Sequence, residues 1–412
     1  MKRLVQILVP VVVLVVLGYA VTQFEPGKEG VETTAPLNWY KGNTHTHTLW
    51  SDGNDFPEMI VAWYQERGYD FLALSDHNIL SRGEKWMKVE AIDKRKKKPG
   101  ATALEKYGEK FGDEWVELRG EGAEREVRLK ALAEFRSKFE KPGEFLLIEA
   151  EEITDRFRNN QVHINALNLQ ELIPPQKGAS VVETVRNNLR MVAEQAERLG
   201  RPILAHLNHP NFHYSFTAEQ LAEVLEEQFF EVYNGHPGIN HLGDAEHPGD
   251  EELWDVANAL RLGKLKAAPL FGVATDDSHD YHGGNVSPGR GWVMVRSEKL
   301  EANALIEAMK KGDFYASTGV VLDEVSHADG VLLVKARVQD GVDYEIQFIG
   351  TRKGEDAEPG EVLAINEGPS ASYPLQGDEL YVRAVVTSSR PHPNPSFTDQ
   401  QEQAWTQPVG WR

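Results

Sequence analysis

The chain is predicted to be an α/β protein: a parallel, barrel-type domain over residues 38–318, followed by a small antiparallel β domain over residues 319–412. Three observations carry that prediction. Short strand-like runs alternate with longer stretches of helical period through the first part of the chain. Histidines and carboxylates recur where those runs end, which is where barrels of this kind gather their chemistry. From about Gly319 the helical period stops and only strand-like alternation remains.

The first element, residues 1–25, is read as an export signal or an N-terminal membrane anchor. Lys2 and Arg3 form a basic cap, Leu4 to Val21 is almost continuously apolar, and Gly18-Tyr19-Ala20 offers small residues for cleavage. The apolar run is near the lower limit for crossing a bilayer, roughly 17 to 25 residues, and Pro10 interrupts it. Cleaved signal and uncleaved anchor both place the rest of the chain outside the cytoplasm, in a periplasm or the medium. The absence of cysteine excludes a lipoprotein.

FLALSD, FLLIEAEEI, HINALNL, PILAHLNH, FFEVYNG and LFGVATDD then follow as strand-like runs that end in polar chemistry. Helical patterns fill the gaps; SVVETVRNNLRMVAEQAERLG closes at Gly200, ahead of Pro202, as a helix should. Between Arg82 and Pro142 lies a long charged insertion with the run Lys94 to Lys98 and the helical stretch EREVRLKALAEFRSKF. It leaves the barrel on the side of the polar groups, so a lid over the site and a solvated helical pair on the barrel edge are both open readings. The basic run is read as a solvated loop. In the C-terminal part VLLVKARVQ, YEIQFIG and LYVRAVVTS alternate like half-buried strands between Gly, Pro and Asp turns. Scaffold packing is the first reading of that domain, and carbohydrate or surface binding the second.

Several of the polar groups are spaced for metal. Residues i and i+2 of an extended segment share a face, so His45 and His47 can reach one ion, and so can Asp277 and His279. Asp76-His77, Glu151-Glu152, His163 and His206/His209 add donors at other strand ends. Any one of the fourteen histidines would ordinarily be a surface or core residue; agreement of ligand type, spacing and placement turns the set into a metal site. His206 lies three residues before His209, off its strand face, and is read as a supporting or pocket residue. Asp76 and Asp276 sit beside ligands and either orient imidazoles or cap turns. His241, His247, His282, His327 and His392 lack such spacing and are read as surface or supporting residues.

Composition narrows the partners. A net charge of −20 argues against nucleic acid, whose phosphates need a basic surface, but leaves room for a small anionic substrate where divalent cations reverse the local charge. Without cysteine, any metal site is built of nitrogen and oxygen, which suits Zn, Mn or Fe.

The motifs THTHTLWSDG, LALSDHN, LAHLNHPNF and GVATDDSHD, in this order, resemble those of the PHP (polymerase and histidinol phosphatase) superfamily, and within it the CehA/McbA-type metallohydrolases, a branch that includes a carbaryl hydrolase. The resemblance runs from about Asn38 to the C-terminus, including AWTQPV, and is weakest in the insertion. It implies a distorted (β/α)7 barrel holding two or three divalent metals. His45, His47, Asp277 and a bridging glutamate would hold the first; the bridge is Glu152, with Glu151 as the alternative. The bridge with His163 and His209 would hold the second. His77, His279 and Asp52 would hold the third, Asp52 standing where some relatives have histidine. An amidohydrolase barrel also opens with His-x-His, but the extra Asp-His and Asp-x-His favour the PHP reading.

The expected chemistry is hydrolysis. Water bridging two divalent ions has its pKa lowered toward roughly 7, so a metal-bridged hydroxide can serve as the nucleophile at neutral pH. A phosphoric ester is the first substrate class, a carboxylic or carbamic ester the second. Arg290 in SPGRGW is the candidate for gripping phosphate oxygens, and His236 in YNGHPG or His206 for protonating the leaving group. A catalytically silent exported binding protein is the reading from another class; the full ligand set argues against it.

Overall fold

The computed structural model describes residues 37–412 apart from 283, 284, 286, 287 and 355. The N-terminal segment read as signal or anchor lies outside the described residues. Among the described residues no helix is long and apolar enough to cross a membrane.

The fold is mixed α/β, with one large mixed sheet and two small antiparallel sheets. The large sheet begins with β1 (Asn38–Asn43), followed in the chain by α1 (Pro57–Gln65) and β2 (Phe71–Leu74). All four residues of β2 are buried, as expected of a strand covered on both faces. The insertion contributes β3 (Lys85–Lys88), α2 (Val89–Asp93), α3 (Ala103–Phe111), β4 (Leu118–Arg119), β5 (Glu126–Leu129) and α4 (Leu132–Phe139). The stretch expected to be helical from Glu124 to Phe139 therefore divides. Val127 and Leu129 are buried two apart and make β5, whereas Leu132, Phe135 and Phe139 form the buried stripe of α4. β3, β5 and β4 form one of the small sheets, so the insertion is more than a helical pair, which was one of its two open readings.

The chain returns through β6 (Leu146–Phe157), β7 (Asn160–Leu167), α5 (Val181–Leu199), β8 (Leu204–Leu207), α6 (Ala218–Glu223), β9 (Phe229–Asn234), α7 (Asp250–Ala259) and β10 (Phe271–Thr275). Helix α5 starts where Ser180 Oγ accepts from the Glu183 amide, and ends at Gly200 in the left-handed conformation, φ 60°. Val185 and Leu189 on its inner face are buried with Val162 and Ile164 of β7, each such side chain contributing about 1.5–3 kcal/mol. β2 is parallel to β1 and β6, and β8, β9 and β10 are mutually parallel, but β7 runs against both its neighbours. The expectation of uniform strand-helix repeats fails there for a simple reason: only Arg158 and Asn159 join β6 to β7, and so tight a turn permits only an antiparallel return.

After β10 come β11 (Trp292–Ser297), α8 (Ala302–Lys310), β12 (Phe314–Ser317), β13 (Leu322–Ala328), β14 (Val331–Ala336), β15 (Tyr344–Arg352), β16 (Glu361–Glu367), β17 (Ser370–Pro374), β18 (Glu379–Pro391) and β19 (Gln401–Thr406). β11 pairs antiparallel with β1, and the large sheet continues through β12, β19, β18, β15 and β16. No ladder joins β10 back to the start of the sheet. The two regions meet just beyond their strands, where Thr46 and Ser278 form a parallel bridge flanked by His47 N–H to Ser278 O, 3.1 Å, and Asp277 N–H to His45 O, 3.0 Å. On β10 the Gln407 side chain replaces a neighbouring strand: it accepts from Gly272 N–H and donates to Gly272 O, both at 2.9 Å.

Candidate metal centre

The curl of the sheet brings six imidazoles and three carboxylates to one place. His45 and His47, fully buried on the extended segment after β1, approach with their Nε2 atoms 3.1 Å apart. Asp277 Oδ1 lies 3.3 Å from the first and 3.0 Å from the second. Glu152 Oε1 is 3.5 Å from His45 Nε2, 2.9 Å from His163 Nδ1 and 3.5 Å from His209 Nε2; its Oε2 is 3.6 Å from His47 Nε2 and 2.5 Å from His77 Nδ1. Asp52 stands 3.3 Å from His279 Nε2, 3.5 Å from His77 Nε2 and 3.6 Å from His47 Nδ1.

These separations suit metal. Donors about 2.0–2.1 Å from a tetrahedral centre stand roughly 3.3 Å from one another, and most of the contacts just given fall near that edge length. His163 Nε2 is buried without a hydrogen bond, as a lone pair aimed at an ion would be. Three overlapping groups have the reach to hold a cation: His45, His47 and Glu152; His77, Glu152 and His163; and His47, Asp52, His77 and His279. His77 thus borders the second position as well as the third expected for it.

Adjacent residues on β6 settle which glutamate enters the cluster. Glu152 faces the imidazoles; Glu151 points to the other face, where its Oε1 accepts from Ile173 N–H at 3.0 Å. Two expectations about placement are corrected here. Glu152 sits within a twelve-residue strand rather than at its end, and His163 lies near the beginning of β7. Because β7 is antiparallel, its start and its neighbours' ends lie at the same edge.

Backbone and hydrogen bonds hold the clustered side chains in place. His209 (φ 30°) and Asp277 (φ 47°) occupy the left-handed region that non-glycine residues seldom adopt, as does Asn78 (φ 50°) beside His77. Asn78 exchanges bonds with the Thr154 backbone, 2.9 and 3.0 Å, and so ties His77 to β6. His77 Nδ1 also lies 2.6 Å from Thr154 Oγ1, and His279 Nδ1 2.8 Å from Asp277 O.

Glu231 on β9 escaped the sequence reading. Fully buried, it lies 2.7 Å from His45 Nδ1 and accepts from Thr275 Oγ1, His209 N–H and Asn234 Nδ2, each at 2.7 Å. It therefore orients the ring of His45 and the backbone of His209. The available signal was a lone carboxylate in the apolar run FFEVYN, because a charge is buried only where it is paired.

Asp76 and Asp276 prove to be caps. Asp76 accepts from the amides of Thr48 and Ser51 and from both their hydroxyls, 2.6–3.0 Å, and so fixes the loop that carries Asp52. Asp276 accepts from the amides of Gly289, Arg290 and Gly291 and from Tyr64 Oη. Gly53 is required in the first loop, since a Cβ there would stand 2.5 Å from His47 O.

Electrostatics divide the cluster. For His45 burial is the largest influence and lowers its pKa, but Asp277, Glu231 and Glu152 together raise it well above the imidazole range. His47, buried and facing His279 and His77, is pushed down to about 3. Burial acts to raise Glu152, yet His77, His163 and His45 hold its carboxyl well below the usual range. Anionic oxygens that draw in positive charge among lone-pair donors are what a divalent cation satisfies.

A cavity of about 230 Å³ opens over the cluster, lined by Asp52, His77, Glu152, His163, His209, Asp277, His279, Phe212 and His236. Of the three expected catalytic residues only His236 reaches it. Its Nδ1 accepts from Gly238 N–H at 3.0 Å, so a neutral ring carries its proton on Nε2. Burial lowers its pKa. His206 lies beneath the ligands, fully buried, with Nδ1 3.8 Å from Glu231; it has no path to a leaving group. Arg290 is also diverted. Its guanidinium donates to Gly235 O (2.6 Å), Asn394 O (3.1 Å), Asn394 Oδ1 (3.3 Å) and Pro395 O (3.2 Å), and clamps the Asn394 segment to the sheet instead of gripping substrate. Among the histidines expected at the surface or in support, His282 and His392 are buried and His241 is half-buried, and they are bonded to Asp55, Arg290 O and Asp250 respectively.

No protein-family model matches the sequence, and no curated protein matches it. Among solved structures, the chain is similar to a two-domain protein from Bacteroides vulgatus containing a predicted PHP-like metal-dependent phosphoesterase: 14% identity over 90% of this chain and 96% of that one, TM-score 0.39. It is also similar to a protein from Bifidobacterium adolescentis assigned as a metal-dependent phosphoesterase: 13% identity over 60% of this chain and 89% of that one, TM-score 0.29. At these values the chemistry of the site rests on its own geometry.

Proposed function

We propose that this chain is an exported metal-dependent hydrolase of the PHP superfamily, its curled sheet a distorted barrel of that type and its preferred substrates small phosphoric esters. The convergence of His77, His163, His209, His279, Glu152, Asp277 and Asp52 on the wall of one cavity, with His45 and His47 buried against Glu152 and Asp277, carries this reading. Zinc, manganese or iron suits so mixed a nitrogen and oxygen set. Divalent cations held there would supply Lewis acidity and lower the pKa of coordinated water toward roughly 7. The chain's own residues do the rest. Glu231 keeps His45 in register, Phe212 walls the cavity, and His236 presents Nε2–H as a hydrogen-bond donor to an oxygen that gains charge.

One observation favours a second reading, hydrolysis of carboxylic or carbamic esters. Among the described residues lining the cavity there is no lysine or arginine to meet a phosphate dianion, and Arg290 is committed elsewhere. The experiment is metal analysis of the purified protein together with turnover of aryl phosphate monoesters, diesters, carboxylic esters and carbamates with Mn, Zn or Fe. Bound metal and phosphoester cleavage lost in His47→Ala support the first reading; cleavage of uncharged esters alone selects the second. A chain that takes up no metal refutes both. His236→Ala is expected to lower turnover about 10- to 100-fold while metal content stays constant.

A further inference from the structure

The loop that carries Asp52 is held from two sides. From below, Asp76 takes its amides. From above, the insertion takes its carbonyls. Arg95 Nη1 donates to Ser51 O at 3.0 Å and to Gly53 O at 2.7 Å, the two carbonyls on either side of Asp52. Lys85 Nζ bonds Trp50 O, and Trp50 Nε1 donates to Lys130 O at 3.2 Å. Lys106 lies 2.8 Å from His282 Nδ1, whose Nε2 is 2.9 Å from Asp55 at the far end of the loop. The Asp52 side chain itself is 54% exposed, so packing does little to place it. Its position comes from the backbone, and the backbone is secured by cations of the insertion.

We propose that Arg95, assisted by Lys85, is a positioning residue for Asp52, and that the insertion thereby sets how tightly the position between Asp52, His77 and His279 holds its metal. This rests on the reading of Asp52 as a ligand. A ligand oxygen must be placed to within roughly 0.5 Å, and when the carbonyls flanking Asp52 lose their donors the loop is restrained only from its other side, by Asp76 on the Thr48 and Ser51 amides. Arg95 also breaks the pattern of its neighbours: it lies in the Lys94 to Lys98 run, expected to be a solvated loop, yet it is half-buried against the site. The inference makes the insertion neither a lid nor an ornament but a brace for one ligand.

The test counts metal. Chelator-stripped protein is reloaded with Mn or Zn at fixed free concentration, and bound ions are measured by elemental analysis, with folding followed by circular dichroism. Asp52→Asn is expected to hold one ion fewer than the parent. Arg95→Ala is expected to match that loss and to recover the ion only at about 10- to 100-fold higher free metal. Arg95→Lys, which can still donate to both carbonyls, is expected to stay within a few-fold of the parent, a rescue that a general packing role would not show. If Asp52→Asn loses an ion and Arg95→Ala does not, the inference is overturned while the ligand reading stands. Equal metal in the parent and Asp52→Asn removes the ligand reading and the inference with it. Loss of every ion in Arg95→Ala would mark a collapsed fold and would likewise overturn the claim of a site-specific brace.

Discussion

Glu151 and Glu152 are adjacent on one strand, equally buried and chemically identical, yet they ionise in opposite directions. On one face of β6, His77, His163 and His45 overcome the effect of burial and hold Glu152 well below the carboxylate range. On the other face, Glu151 has one backbone amide on Oε1 and no partner on Oε2, and burial lifts it to about 8. Depth alone therefore does not decide the charge of a carboxylate in this protein; the neighbouring groups do. The β pleat assigns each residue its neighbours, and a one-residue slip of β6 would exchange them.

Four substitutions would break or sharpen this contrast. The largest effect is expected from Glu152→Gln, which removes the anion shared by five imidazoles: ester turnover should fall at least about 1000-fold and metal content with it, measurable by steady-state assay and elemental analysis. Glu231→Gln keeps the size of the side chain but weakens its hold on His45 and His209, and should cost about 10- to 100-fold in metal affinity by titration. Glu227 resembles Glu151 at a distance from the site: burial raises it from 4.5 to about 8, with the amides of Phe229 and Gln228 opposing. Between those pH values the folded chain keeps a proton that the unfolded chain has lost. Its contribution is full below the unfolded pKa and disappears as pH rises through the folded one, so stability should fall over that window. Urea melts should show that the parent loses up to about 5 kcal/mol more than Glu227→Gln across it. The smallest effect is expected of Glu151→Gln, whose turnover and metal content should stay within about 3-fold of the parent, since only Oε1 is bonded and an amide oxygen can accept there.

Much of the candidate cluster was legible because i, i+2 spacing on an extended segment follows from backbone geometry alone. His45 and His47 come together in one group with the reach for a cation, Asp277 and His279 both border the cluster, and Gly200 ended its helix as the pattern required. The failures have a common cause. Arg290 looks like an anion clamp beside flexible glycines, but carbonyls of Asn394 and Pro395, about a hundred positions later, consume its donors. His206 sits within a motif, yet pleat and curl place it below the site. Glu231 carries no motif, and its partners arrive from three other segments. Local rules identify which groups can bind; only distant parts of the chain determine which of them are already engaged. The antiparallel β7 was hidden for the opposite reason, being set by a two-residue turn too short to stand out.

The Thr46–Ser278 bridge has a consequence for how the chain reaches its working form. It joins segments from nearly opposite ends of the sheet's first half, and His45 meets Glu231 across 186 positions. Contacts of such long range form only after most of the intervening chain has found its place, because closing so large a loop is entropically costly until neighbouring strands share the burden. The centre is thus a late product of folding, absent from any nascent chain that ends before Asp277. A chain still emerging from synthesis would carry scattered imidazoles with no shared pocket, and the cluster could serve as a binding site only after its last strands had docked.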